Sequence, residues 1–561
     1  MTKKISGAEY PLSKIFSSDF QFSIPAYQRP YAWGEEQSKA LLADLLSFAN
    51  EDNEDGYFLG SVVLIKSEND PISEVIDGQQ RLTTLTILFA ALADAMPNKA
   101  AGKVWDYILE EGDWTQEIDA KPRLSLRRRD AKFFRKYIQD GKISKLSTID
   151  PEQVGNEAQK NIRGNALYFQ KAIQEAFGTN EAALKKFIQF LTKRCFLVAV
   201  TTPNRESAYR VFSVMNSRGL QLQATDILKA DYTGGMNDED ADELTGEWEQ
   251  MEADLGREGF NELFSHIRMI HIKEKARKTL LEDFRLHVLP EYPEPEAFIR
   301  DVLEPHAQAF QAVQNANYQA SSKAEIVNSS LTWLNRIEFS DWIPPALALL
   351  AKPDNSQDDV ADFFIKLERL AAYMLACRIN VNQRIDRFAD IIEEIEDGAV
   401  TEDIEALELT PEEIKEFKAS LNGEIYRLPA RKRNYIILRL DSFLKDGGAT
   451  YDPRVLTIEH VLPQTINEDS PWLEEWSDEE DRNKWLHRIA NLVPLNRGRN
   501  SKASNFDFQT KCDAYFVGSQ NVSSYALTTQ VIKETSWSPS AVKKRQKKLI
   551  KVLSEGWNLN E

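Results

Sequence analysis

With 561 residues, the chain is too long for a single hydrophobic core, so we expect two or three domains. Its net charge of -19 at pH 7 argues against indiscriminate attraction to nucleic acid, because such binding depends on cations that neutralise phosphates. The charge is uneven along the chain, since residues 497–561 carry 11 basic and 5 acidic side chains. That final segment is locally cationic.

The cysteines and the apolar runs exclude further classes of protein. Cys195, Cys377 and Cys512 lie far apart and in no C-x-x-C pair, which argues against a disulfide framework or a thiolate metal site. No apolar run is long enough to span a bilayer, and Met1–Lys4 is followed by no signal-peptide core. We therefore expect a cytoplasmic protein with no membrane partner.

The first hundred residues predict a small α/β core. An amphipathic lead-in over residues 1–20 precedes strands rich in β-branched residues and helices with a helical apolar period. The expected elements are a strand over Phe22–Ala26, a helix over Gln37–Asn50, strands over Tyr57–Lys66 and Glu74–Asp77, and a long buried helix over Leu82–Met96.

The segment Asp77–Arg81 places a carboxylate, a permissive turn and a guanidinium between a strand and a helix. Gly78 can adopt a positive φ at no steric cost. The turn aims the free N–H groups of the helix, with Arg81 and the hydroxyl of Thr83, at whatever lies above Gly78, which suits an anion. Asp77 would then hold a ribose hydroxyl, a metal or a water. The alternative is a helix cap with a surface ion pair.

Residues 100–195 are expected to be mostly helical, and they contain the basic run Lys121–Arg129. Such a run is either a solvated face or a contact for phosphate. Phe196–Thr201 is predicted to be a strand that rejoins the first core. A turn at Asn216–Leu220 precedes a helix over Thr225–Asp231; it either contributes to a ligand site or only initiates that helix.

Four ordered motifs in the first 220 residues resemble the N-terminal domain of GmrSD-type restriction proteins. They are Ile24–Trp33, Tyr57–Ser61, Asp77–Arg81 and Phe212–Gly219. The resemblance implies a ParB/sulfiredoxin-like fold that binds and hydrolyses ATP or GTP. The nucleotide-binding residues implied in this sequence are Gln28, Arg29, Asp77, Gly78, Gln79, Gln80, Arg81, Thr83, Asn216 and Arg218, with Asp77 and Arg81 also assigned to catalysis.

Residues 236–445 show helical periodicity and no β-rich run, which predicts a helical connector. The acidic block Glu393–Glu416 is interpreted as a solvated helix pair; the alternative is an autoinhibitory element that competes for a basic surface.

A second chemical centre is expected at Leu456–Gln464, a strand that delivers Glu459 and His460 side by side into a turn. The spaced asparagines at Asn491 and Asn500 follow. From about Tyr451 to Lys511, the pattern resembles the HNH (ββα-metal) nuclease fold of GmrSD-type C-terminal domains. The sequence departs from this HNH pattern at Ala490, where many relatives have glycine.

Phosphodiester hydrolysis needs a base for the attacking water and a cation on the leaving oxygen. His460 is the predicted general base, and Asn491 is predicted to orient its ring. Glu459 and Asn500 offer oxygen ligands for Mg²⁺ or Mn²⁺, with Asn496 as a reserve ligand. His487 lies in a Trp-Leu-His-Arg segment and is interpreted as structural.

The sequence therefore predicts a predominantly helical α+β protein of three parts. These are a nucleotide-binding domain with a small α/β core and a helical insertion (1–235), a helical connector (236–445) and an HNH domain (446–561). We expect an NTP-hydrolysing DNA endonuclease or nickase of an anti-phage, modification-dependent restriction system, with modified or phage DNA as its partner. The alternative is an NTP-gated DNA-binding sensor whose HNH fold serves structure or partner contact.

Overall fold

The computed structural model describes residues 5–25, 28–51, 55–67, 70–112, 120–150, 154–204, 207–208, 211, 223–233, 238–352, 355–445, 456–496, 506–516 and 525–559. The chain divides into two compact units, Met1–Gln250 and Met251–Glu561. Within the described residues, no helix combines the length and the apolar character that crossing a membrane requires.

The first unit contains a mixed six-stranded sheet. Its strands, in spatial order, are β1 (Ser6–Pro11), β8 (Cys195–Thr202), β3 (Tyr57–Lys66), β4 (Ile72–Asp77), β2 (Gln21–Ser23) and β7 (Leu124–Ser125). The pairs β1–β8 and β3–β4 are antiparallel, whereas β8–β3, β4–β2 and β2–β7 are parallel. Two short strands, β5 (Leu109–Glu110) and β6 (Lys121–Pro122), form a separate antiparallel pair.

The centre of the sheet is apolar, as the Val and Ile content of β3 predicted. Val62, Val63 and Leu64 of β3 are fully buried. Val62 and Leu64 belong to the same core cluster as the helix Gln79–Asp94, which is buried along nearly its whole length because small and branched apolar residues occupy every face. The register pairs Val63 with Asp77, so the carboxylate stands at the end of β4 where the helix begins.

Eight helices lie wholly within the first unit, in the part of the chain that the structure describes. They are Leu12–Ile15, Glu35–Ala49, Gln79–Asp94, Asn98–Trp105, Arg128–Phe134, Glu157–Phe177, Glu181–Arg194 and Ala224–Thr233, with a π-helical turn at Arg135–Gln139 and a 3₁₀ turn at Ile143–Thr148. Asn156 and Asn180 cap two of them, since each side chain accepts a backbone N–H of the first turn.

Two expectations for this unit need correction. The lead-in contains an edge strand, because Ser6–Pro11 pairs with β8 and a short helix follows it. The basic run is not uniformly solvated, since the Arg127 side chain is only 7% exposed and forms ion pairs with Glu249 and Asp130. Tyr31 is buried in the core of this unit, and its hydroxyl lies 2.7 Å from Thr84 Oγ1.

Among the described residues of the second unit up to residue 445, the regular elements are all helical. Its helices are Leu280–Asp283, Pro295–Ala297, Glu304–Asn315, Ala324–Leu334, Ile343–Leu350, Gln357–Ala376, Val381–Glu396, Pro411–Leu421 and Ala430–Phe443, joined by π turns at Phe284–Val288 and Phe298–Leu303 and 3₁₀ turns at Leu289–Glu291, Thr401–Asp403, Glu405–Leu407 and Ile425–Arg427. The helix Asp238–Ile272, kinked at Gly256, leads into it. The predominantly helical α+β class is confirmed.

Acidic side chains of the block Glu393–Glu416 form ion pairs with neighbouring helices. Glu408 lies 3.1 Å from Lys366 and also pairs with Arg369. Glu413 lies 3.7 Å from Arg387. These ion pairs attach the block to neighbouring helices of the second unit. They favour a structural role over an autoinhibitory element that competes for a basic surface.

The remainder of the second unit is a small hairpin packed among helices. Strand β9 (Leu456–His460) pairs antiparallel with β10 (Leu492–Asn496). The surrounding helical segments are Trp472–Glu475, Glu479–Leu486, Ile489–Asn491, Phe508–Thr510, Lys511–Phe516, Ala526–Ile532 and Pro539–Gly556. Four buried tryptophans fill this core: Trp472, Trp476, Trp485 and Trp537. Bulky rings at fixed positions give the hairpin a rigid support.

Candidate functional sites

At the first centre, the turn can accommodate only glycine. Gly78 has φ +95° and immediately precedes the helix Gln79–Asp94. A Cβ atom there would lie 2.5 Å from Val62 Cγ1. Both the left-handed backbone and the close approach to β3 therefore require glycine.

Arg81 is fixed by the strand motif that precedes it. Its Nη1 donates to Ser61 O at 2.8 Å. Gly60 has φ +105°, and a Cβ on it would lie 2.9 Å from the Arg81 guanidinium carbon. The Tyr57–Ser61 and Asp77–Arg81 motifs thus form one structure, in which a glycine leaves room for a half-buried guanidinium.

The two glutamines of the motif secure the loop at residues 28–33. Gln80 Oε1 accepts the N–H groups of Ala32 at 2.8 Å and Trp33 at 3.1 Å, and Gln80 Nε2 donates to Pro30 O. Gln79 Nε2 donates to Arg29 O. Gln28 donates in turn to Ile76 O at 3.0 Å. These groups position the loop beside the turn.

Two polar atoms beside the turn have no hydrogen-bond partner within the described structure. They are Gln79 Oε1 and Thr83 Oγ1, both buried. Unpaired buried polar atoms are costly, so they call for a ligand, a water or a residue outside the description.

Burial governs the charges of this centre. It raises the pKa of Asp77, whereas the Gly78 N–H and the Arg81 charge act in the opposite direction. Burial also lowers the pKa of Arg81, and Asp77 opposes that shift. A polyanion that reached this turn would meet a guanidinium with little competing water.

A buried ionic network that sequence reasoning missed lies next to the loop. Arg127 donates to Gln28 O at 3.3 Å and to Glu249, and Lys229 contacts the same Glu249 at 2.8 Å. Arg29 lies 3.7 Å from Asp226. Asn216 and Arg218, also predicted to belong to this site, lie outside the described residues.

At the second centre, the hairpin presents Glu459 and His460 at the end of β9, opposite Val493 and Leu492. Lys511, which is fully buried, donates to Glu459 Oε1 at 2.9 Å and to His460 O at 2.8 Å. Burial lowers the pKa of Lys511, and the Glu459 carboxylate opposes this. The lysine therefore holds the Glu459 carboxylate and the backbone carbonyl of His460.

The His460 ring lies in a chain of polar contacts. Gln464 Nε2 is 3.2 Å from His460 Nδ1, and His487 Nδ1 is 3.3 Å from His460 Nε2. The Tyr426 ring packs edge-on against His460 at a centroid distance of 4.1 Å. His460 is almost completely buried, since only 4% of its surface is exposed to solvent. Burial, followed by His487, Lys511 and Arg433, lowers the pKa of His460 to about 3, so the ring is neutral at pH 7.

Asn491 has a different role from the expected one. Its Oδ1 accepts Leu462 N–H at 2.8 Å and the Trp537 indole N–H at 3.1 Å, and its Nδ2 donates to Leu462 O and Leu486 O. The amide thus holds the turn that follows His460, whereas the polar contacts of the His460 ring are Gln464 and His487. The sequence did not predict these partners of Asn491.

Of the expected oxygen ligands, Glu459 is the one whose side chain lies within the described residues. Among the described residues, no cluster of three or more His, Cys, Asp or Glu side chains could hold a metal ion. Glu459 is 15% exposed at its side chain and has one oxygen engaged by Lys511. Its other oxygen suits an ion such as Mg²⁺, which keeps several waters and needs only one or two carboxylates. Asn500 and the Asn496 side chain lie outside the described residues.

Two sequence profiles match the chain and include the two centres. The profile of the N-terminal domain of the GmrSD restriction endonuclease matches residues 12–233. The profile of the C-terminal domain of the GmrSD restriction endonucleases matches residues 412–552. A search of curated proteins finds no match.

Proposed function

The chain belongs to the GmrSD restriction endonuclease family, and we propose that it is a nucleotide-regulated DNA endonuclease or nickase that cuts at the Glu459–His460 hairpin. Its substrate class is DNA, as restriction endonuclease domains imply. The observation that carries the proposal is the position of the His460 ring, which has two polar partners and lies next to the Glu459 carboxylate and the buried Lys511.

The hydrogen-bond directions support His460 as the general base. The Gln464 amide nitrogen can only donate, so His460 Nδ1 accepts and Nε2 carries the ring proton. His487 Nδ1 then accepts from Nε2. Nδ1 is therefore the ring atom with a lone pair, and a water that replaces Gln464 there can transfer a proton to it.

Glu459 and Asn500 are the residues that would hold a divalent cation, Mg²⁺ or Mn²⁺. When bound, such an ion would stabilise the charge that develops on the leaving oxygen. Lys511 keeps one Glu459 oxygen engaged, so the second oxygen stays oriented for a ligand.

Nucleotide is proposed to bind at Asp77–Arg81, with ATP or GTP as substrate and regulator. Support comes from the Gly78 turn at a helix N-terminus, the Arg81 guanidinium and the unpaired Gln79 and Thr83 atoms. Gln28 and Arg29, in the loop beside the turn, would contact the nucleotide, and the target would be modified or phage DNA in a defence role.

The low exposure of His460 favours a second candidate. A ring that is 4% exposed beneath Tyr426 has little access to DNA unless the surroundings move. That geometry also suits an NTP-gated DNA-binding sensor whose hairpin serves structure or partner contact.

A plasmid-nicking assay with Mg²⁺ or Mn²⁺ separates the two candidates. Wild type should nick and His460→Ala should not, while DNA binding persists in both. His287→Ala is the matched control, because that histidine is exposed on the helical part of the second unit. Nicking by His460→Ala at the wild-type rate would exclude His460 as the base, and a wild type that binds but never nicks would favour the sensor.

A further inference from the structure

The helix Pro539–Gly556 separates its apolar and basic residues onto opposite faces. Val542, Leu549 and Leu553 are fully buried on one side. On the other side stand five exposed lysines, which we call the lysine face: Lys543, Lys544, Lys547, Lys548 and Lys551. At 3.6 residues per turn these positions share one half of the helix surface.

Most of the lysine face has no compensating charge. Lys551 lies 3.5 Å from Glu555, and this is the one ion pair that the described residues give to the five lysines. Lysines 543, 544, 547 and 548 thus stay available in a chain whose overall charge is -19. A cluster of one sign on such a background creates a local positive potential, which attracts a polyanion.

The dimensions of the lysine face suit a nucleic-acid backbone. From Lys543 to Lys551 the helix rises about 12 Å, at 1.5 Å per residue. One strand of a duplex presents a phosphate about every 3.4 Å along its axis. The face therefore spans three to four phosphates.

The helix is joined rigidly to the hairpin. Gln546 Oε1 accepts Ala490 N–H at 3.0 Å, and the buried Arg545 donates to Ala490 O at 3.2 Å. Ala490 precedes Asn491, whose amide holds the turn after His460. Arg545 and Gln546 lie on the side opposite the lysine face, so that face is directed away from the hairpin.

We propose that the lysine face binds the phosphate backbone of duplex DNA on a flank of the segment that is cut, which rests on the proposed function for the cutting itself. Because the face is directed away from His460, it contributes affinity and positioning to DNA capture. It reads no sequence, since phosphate contacts carry none.

The test is duplex binding as a function of salt. A fluorescent 30-base-pair duplex is titrated without divalent cations, so that no cleavage occurs, against wild type and a variant with Lys543→Gln, Lys544→Gln, Lys547→Gln and Lys548→Gln. The matched control carries Lys→Gln at four exposed helical lysines of the first unit: Lys39, Lys171, Lys185 and Lys186. Both variants lose the same charge.

Four lost phosphate contacts should reduce the slope of log affinity against log salt by about 3–4. Between 50 and 200 mM salt, wild type should then lose about 10²-fold more affinity than the lysine-face variant. The control should keep the wild-type slope. Circular dichroism shows whether the variant retains its helices.

Equal slopes for wild type and the lysine-face variant would overturn the inference, and so would a wild type that binds no duplex. Preferential loss of binding to double-stranded RNA or to vesicles with anionic lipid would assign the face to another partner and also overturn it. A wild type that binds with the expected slopes but does not nick would contradict the proposed nuclease and leave the lysine face supported.

Discussion

His460 Nε2 lies 3.3 Å from His487 Nδ1, and the two rings meet edge to face with centroids 5.3 Å apart. Tyr426 stacks on His487 and donates its backbone N–H to His487 O at 3.0 Å, which fixes the second ring in turn. A neutral imidazole has one N–H, so when Gln464 Nε2 donates to His460 Nδ1, the proton of the His460 ring lies on Nε2 and His487 Nδ1 accepts it.

The first prediction is that the His487 Nδ1 acceptor increases the rate of DNA cleavage. Asn Oδ1 can stand where His Nδ1 stands, so His487→Asn should keep most of the nicking rate. His487→Leu removes the acceptor and should lower the rate about 10- to 100-fold, the usual effect of losing a group that orients a reactive side chain. Equal rates for the two variants in a plasmid assay would show that His487 does not orient His460.

The second prediction concerns the cation. Glu459→Gln or Asn500→Ala should raise the Mg²⁺ or Mn²⁺ concentration for half-maximal nicking by about 10-fold or more, because a charge-assisted contact is worth about 1.5–3 kcal/mol. Glu468→Gln is the control, since that carboxylate is exposed in the same part of the chain. An unchanged metal requirement in both test variants would show that these residues are not ligands.

Local patterns predicted the strands and helices around both expected centres, but not the polar partners of the residues in them. The strand over Tyr57–Lys66 was predicted at its observed bounds, and the helix after Gly78 began only three residues earlier than expected. Hydrophobic period and glycine freedom are properties of neighbouring residues, so sequence reveals them. The pattern likewise brought Glu459 and His460 to one strand end.

Long-range polar contacts could not be predicted in the same way. His487 was interpreted as structural because it lies in a Trp-Leu-His-Arg segment, and its separation of 27 residues from His460 gives no periodic signal of their contact. Gln80 was assigned to nucleotide, yet both ends of its amide contact the loop at residues 30–33. Arg127 meets Glu249 across 122 positions. Only the folded arrangement of the elements brings such pairs together.

The third prediction tests the close approach of Gly60 to Arg81. Gly60→Ala would strain a backbone at φ +105° by about 1–3 kcal/mol and push its Cβ against the guanidinium. Nucleotide affinity or hydrolysis should fall, as measured by calorimetry and phosphate release. Gly164→Ala is the control, because its Cβ meets nothing within 4 Å inside a helix, and it should stabilise the protein by about 0.5–1 kcal/mol. If Gly60→Ala binds nucleotide as wild type does, Arg81 does not contact the ligand.

The fourth prediction is a pH effect on the stability of the second unit. Burial lowers the pKa of His306 to about 4, and its Nδ1 lies 2.7 Å from Val302 O. The unfolded ring takes up a proton below pH 6.5 while the folded ring remains neutral, so stability falls as pH decreases from about 6.5 to about 4. The total is on the order of 3 kcal/mol.

His306→Asn keeps an N–H donor for Val302 O and removes the titration. The variant should therefore lose less stability than wild type between pH 7 and pH 5, as measured by the urea midpoint. His287→Asn serves as the exposed control. If wild type and His306→Asn lose stability equally, the buried ring does not contribute to the acid sensitivity.

The last prediction is that nucleotide at Asp77–Arg81 changes the rate of DNA cleavage. A nuclease without control would damage its host, and one chain joins this nuclease centre to a proposed nucleotide centre. Coupling between two sites is typically 1–3 kcal/mol, about 5- to 150-fold in affinity, and it is reciprocal for equilibrium binding. DNA should therefore also change the affinity for nucleotide. Nicking by wild type and Arg81→Ala is measured with saturating nucleotide, without nucleotide and with a non-hydrolysable analogue; identical rates in all conditions would show two independent enzymes on one chain.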